Sequence, residues 1–150
     1  MRRRSGVVAL RAAAAGLAVA STRLPWARAD PACANTDAVL GFGEGPTGAL
    51  WAGLFLAAVA GALAAGTVPR GASSYVGLGA SVVAAVAVLW GLGIANRPAF
   101  EAFRPGNSGP PVGVLCRFDP AAGYWTGVAS SALLVGVGLA ATRNAGTVRR

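Results

Sequence analysis

Few residues in this chain could do chemistry, and Cys33 and Cys116, its only cysteines, come first. They are far apart and lack the C-x-x-C spacing of a dithiol oxidoreductase, and Arg117 is the one neighbour that would stabilise a thiolate. A redox pair is therefore the lesser reading, and a structural disulfide between two exported segments the greater. Closing a loop of this length would contribute roughly 4–5 kcal/mol in the chain-entropy model. The chain has no histidine, which removes the usual ligand for haem, zinc and many pigments. The five acids, Asp30, Asp37, Glu44, Glu101 and Asp119, are scattered rather than paired.

Gly41-Phe42-Gly43-Glu44-Gly45 resembles a phosphate loop only in its glycines, because no Lys-Ser/Thr follows and no strand precedes it. It reads as a flexible lead into a helix. Ser81, Thr126, Ser130 and Ser131 have no base beside them in sequence, so they read as hydroxyls bonded to the backbone of their own helices. These features predict no catalytic residue, no metal and no cofactor. A lipid or pigment would have to be held through backbone carbonyls, Asn96 or a water.

The elements that carry these residues are apolar. A hydrophobic fraction of 55% with 12% charged residues is too apolar for an ordinary soluble domain, and 150 residues allow one domain at most. Three uncharged stretches, 47–68, 73–95 and 123–142, are each long enough to cross a bilayer as a helix. The expected fold is an all-α membrane domain over residues 47–142, with a long loop at 96–122 and a basic tail at 143–150. In that loop, Asn96-Arg97-Pro98 predicts entry to a short surface helix presenting Phe100 and Phe103. The Pro/Gly run around 105–111 breaks it, and residues 112–118 are expected to be extended.

Residues 1–29 read as a cleaved export signal, followed by an exported segment at 30–46. Arg2, Arg3 and Arg4 precede an apolar core at Ala12–Ala20, and Ala27-Arg28-Ala29 fits an A-x-A processing site. The alternative is a retained first helix over residues 6–22, giving four spans. Arg11 counts against it, since a central arginine costs roughly 2.5–3.5 kcal/mol on insertion scales.

The net charge of +8 follows from the same layout. Six of the thirteen arginines lie before residue 30, and the rest form no basic face interleaved with aromatics, so nucleic acid is excluded as a partner. Arg70, Arg143, Arg149 and Arg150 fall on the inner side under the positive-inside rule, and all five acids fall outside. Trp51, Trp90, Tyr124 and Trp125 then form an aromatic belt near the outer ends of the spans. Small residues at four-residue spacing, including Gly53, Ala57 and Gly61, Gly91, and Gly136, would let helices approach closely.

The functional expectation is a non-catalytic accessory subunit packing against a larger membrane complex, with respiratory or photosynthetic assemblies as the commonest setting. Its partners would be other membrane subunits and the bilayer. Two alternatives come from other classes: a transporter or channel subunit acting as an oligomer, and an exported thiol-disulfide protein. The exported side would be a bacterial periplasm or exterior, or a thylakoid lumen.

Overall fold

The computed structural model describes residues 2–29, 39–44, 48–66, 72–95, 99–101, 114–116 and 118–147. Helices dominate: α1 at Arg2–Arg23, α2 at Gly48–Ala64, α3 at Ala72–Ala95 and α4 at Ala122–Thr147. Among the described residues, five short strands lie between them: β1 at Ala27–Ala29, β2 at Val39–Leu40, β3 at Ala99–Glu101, β4 at Val114–Cys116 and β5 at Phe118–Pro120.

The helices run up and down. Each of the pairs α2 with α3, α3 with α4, and α4 with α1 packs along its length, while α1 and α2 meet more loosely. Small residues set the close approaches. A Cβ on Gly61 would sit 3.6 Å from that of Ala80, and one on Gly77 would sit 3.2 Å from that of Ala65. Gly138 of α4 rests on Leu78 of α3 in the same way. In a medium as apolar as the side chains, such backbone proximity is what holds helices together.

Two of the helices, over Ser74–Gly91 in α3 and Ala122–Arg143 in α4, are long and apolar enough to cross a membrane. α2 is shorter than the sequence suggests. It has 17 residues, about 26 Å of rise, and stops at Ala64 rather than continuing to Val68. The cause is local: the Gly66 N–H donates to the Leu63 carbonyl at 3.1 Å, an i−3 bond that tightens and closes the last turn.

The three-stranded sheet covers one end of the bundle. β1 is the centre of a three-stranded antiparallel sheet, with β2 on one edge and β5 on the other. Its register sets Ala27 opposite Leu40 and Pro120, and Arg28 opposite Val39 and Asp119. β3 and β4 form a separate antiparallel pair, with Phe100 opposite Leu115. The surface helix expected around Phe100 is therefore a strand at 99–101, because Val114–Cys116, extended as expected, offers a ladder that a lone amphipathic turn would lack. Cys116 lies in β4, whereas Cys33, its expected disulfide partner, lies outside the described residues, as do Arg70, Asn96, Phe103, Arg149 and Arg150.

Candidate functional site

The most elaborately built part of the chain is the end of the bundle beneath the three-stranded sheet. Its centre is Trp26, in the link between α1 and β1, which keeps only 5% of its surface exposed. Four rings surround it. Trp51 lies at 4.6 Å between centroids, Phe42 at 5.3 Å, Tyr124 at 6.1 Å and Phe55 at 6.3 Å, the last two edge-on. Tilted and edge-on geometries at these distances are those that the ring quadrupoles favour. The polar edge of Trp26 is also satisfied, since its Nε1–H donates to the Ser21 carbonyl at 2.7 Å.

Each ring arrives from a different element. Trp51 and Phe55 lie one turn apart on α2 and share its buried face. Gly91 of α3 makes room for Trp51, since a Cβ there would lie 3.1 Å from the indole. Phe42 comes from the turn at Gly41–Glu44, where Gly43 takes φ +77°. In that turn the Glu44 carboxylate accepts the Gly41 N–H at 2.7 Å, and the Gly43 backbone lies directly on Gly48 at the start of α2. The glycine-rich lead is thus a defined turn that delivers a ring to the cluster.

Hydroxyls stitch α1 to α4. Ser130 Oγ donates to the Ala14 carbonyl at 2.8 Å, and Ser21 Oγ donates to the Gly123 carbonyl at 2.9 Å, both buried. The Gly123 N–H in turn donates to the Pro25 carbonyl, and the Ala121 N–H to that of Trp26. Ser81, Ser131 and Thr126 bond within their own helices, to Gly77, Gly127 and both Ala122 and Gly123 respectively, as the sequence predicts. Ser130 departs from that expectation, because it reaches across to a neighbouring helix.

At the opposite end, the Arg11 guanidinium of α1 lies directly against Gly66, just past the C-terminus of α2. A side chain at Gly66 would overlap it. The last carbonyls of a helix carry partial negative charge, so a cation is favoured there.

The expected aromatic belt divides in two. Trp51 and Tyr124 point inward and belong to the cluster, while Trp90 and Trp125 stand outward, Trp125 with 58% exposure. The expected packing residues divide similarly. Gly61 and Gly91 face neighbouring helices, but Gly53 and Gly136 have nothing within 4 Å of a Cβ position, and Ala57 is exposed. Arg143 is exposed near the end of α4. Sequence reasoning missed Trp26, Phe42 and Ser21. The available signal was a tryptophan placed one residue before the Ala-Arg-Ala triplet, a bulky ring where an export signal ordinarily carries small polar residues.

Chemically, the cluster can pack and it can order the chain. Among the described residues no group of His, Cys, Asp or Glu could hold a metal, and every buried side-chain polar atom has a partner. No family model matches the chain, and neither a curated protein nor a solved structure resembles it significantly.

Proposed function

We propose that the protein is a small integral membrane subunit whose role is to pack against a larger membrane complex. The observation that supports this most directly is the pair of small-residue strips left on its outward faces. On α2 these are Gly53 and Ala57; on α4 they are Ala132, Gly136 and Ala140, all exposed, and both glycines have open space around them. In a lipid-facing helix, small residues make a shallow groove into which another helix can settle. The residues flanking these strips are large and apolar, among them Leu50, Leu54, Leu56 and Leu139, as a bilayer setting requires. The interior, by contrast, is closed by Ala, Gly and Ser contacts and by the aromatic cluster, and among the described residues every buried side-chain polar atom has its partner inside the chain.

In this reading the aromatic cap and the short strands lie on the exported side, with Cys33 and Cys116 joined there. Arg70, Arg143, Arg149 and Arg150 lie on the inner side. The test is extraction in mild detergent, followed by native-gel separation and mass spectrometry of the band. Wild-type protein is expected to migrate with larger membrane subunits, and Gly53→Leu or Gly136→Leu to migrate without them. A lone symmetric oligomer, unchanged by either substitution, would overturn the reading in favour of a self-assembled channel.

A further inference from the structure

We infer that residues 2–23 are a permanent helix of the mature protein, and that Ala27-Arg28-Ala29 is a structural strand rather than a processing site. Three independent features carry this. The first is Arg11, the residue that speaks most strongly against a retained span. Its guanidinium has a built position against Gly66, at the negatively polarised end of α2. Arg11 is five residues in from Gly6, about 7.5 Å of helix rise, so its long side chain also reaches toward the interface.

The second feature is the α1–α4 seam. Ala14 and Ala18 are buried, and the two interhelical serine bonds lock α1 to α4 at points nearly two turns apart. The remaining face of α1 presents Val7, Val8, Leu10 and Val19 outward, as the other helices present their large apolar side chains. An export signal that is discarded has no need of such a seam.

The third feature lies at the supposed cleavage site itself. Ala27 is 1% exposed, Ala27 and Arg28 are paired on both edges and Ala29 on one, so the residues leading to the supposed cleavage bond form the central strand of a sheet. Cleavage there and loss of the segment would remove Trp26 from the middle of the aromatic cluster. It would also strip the sheet of its centre and leave Phe42, Trp51 and Tyr124 uncovered. The small alanines of the A-x-A triplet fit a buried strand as well as they fit a peptidase. With α1 retained, the described helices number four, and the start of α1 and the end of α4 lie on one side, the side rich in arginine.

The decisive experiment expresses the full chain with a C-terminal tag, isolates it from membranes and measures its intact mass. The expected result is the whole chain of 14.8 kDa plus the tag, with at most the initiator methionine missing. A chain that begins at Asp30, or anywhere after α1, would overturn the inference. A second measurement uses Gly123→Ala. A Cβ there would lie 2.6 Å from the Leu24 carbonyl oxygen and 2.8 Å from that of Pro25, so it collides only if those residues stay. The variant should lower the Tm of the purified chain by several degrees, whereas Gly136→Ala should not. Equal behaviour of the two would count against retention. Neither readout depends on which complex the bundle docks to, so the proposed function stands or falls separately.

Discussion

Trp26 is the residue on which the ring contacts converge, and its substitution should show how much they hold. Trp26→Ala in the full chain removes a fully packed indole and leaves its cavity among four rings, a loss of about 3–5 kcal/mol. Trp125→Ala, at 58% exposure, should cost far less in the same detergent. Thermal unfolding of the two variants side by side checks this, and equal losses would mean the cluster is not the core it resembles. The serines allow a finer comparison. Ser130 bonds to α1 and Ser131, its neighbour, to its own helix, so only Ser130→Ala breaks a link between elements. The expected loss is about 0.6 kcal/mol, with an upper bound near 1.7, against almost none for Ser131→Ala. A reversal of that order would assign the seam to packing alone. None of this was legible from residue type, because both are serines in one apolar run. Which of them faces α1 depends on helix phase and on a partner more than a hundred positions away.

At the scale of elements, α3 and the start of α4 were legible almost to the residue, whereas α4 runs five residues past the expected end, through Arg143 to Thr147. Their apolar runs are long and uncharged, and hydropathy alone then fixes that a helix forms, though not where a solvated last turn stops. α2 was over-read because apolar composition continues past Ala64, while the turn at Gly66 is decided by a hydrogen bond that composition does not record. The β3–β4 pairing escaped for a related reason: three-residue strands have too little periodicity to be distinguished from a helix turn. α1 is the hardest case. A removable signal and a retained helix share a basic start, a short apolar core and small residues at the end, and they differ only in whether distant residues pack on them. Disulfide closure is an element-scale prediction too, since it would tie β4 to the segment that leads from β1 to β2. Reduction of the purified protein, or Cys33→Ser, should lower its stability by roughly 4–5 kcal/mol. Non-reducing gels should show faster migration for wild type than for Cys33→Ser or Cys116→Ser. Free reactivity of both thiols toward maleimide in the native protein would exclude the bond.

The whole molecule is polarised along its long axis, and the polarity makes a claim about orientation. One end carries Trp26, Phe42, Trp51 and Tyr124 beneath the sheet; the other carries the amino-terminal arginines, the Arg11–Gly66 contact and Arg143. Arginine resists translocation, whereas acids contribute little to sidedness, so the arginine end should remain inside and the sheet should cross. The exposed acid Asp119, opposite Arg28 in the sheet, then lies outside. If all four described helices cross, the start of α1 and the end of α4 would share a side; with the first removed, the new amino terminus would lie opposite the end of α4. A reporter fused after Arg150 is therefore expected to be active only in its inner-side form. A second reporter inserted near Asn107, in the loop between β3 and β4, is expected to be active only in its exported form. Replacing Arg143, Arg149 and Arg150 together by Glu removes the inner positive charge at that end and should raise the fraction of inverted molecules measured by the same reporters. An unchanged distribution would mean that the amino-terminal arginines alone set the orientation, and a carboxyl-terminal reporter found outside would overturn the assigned sidedness.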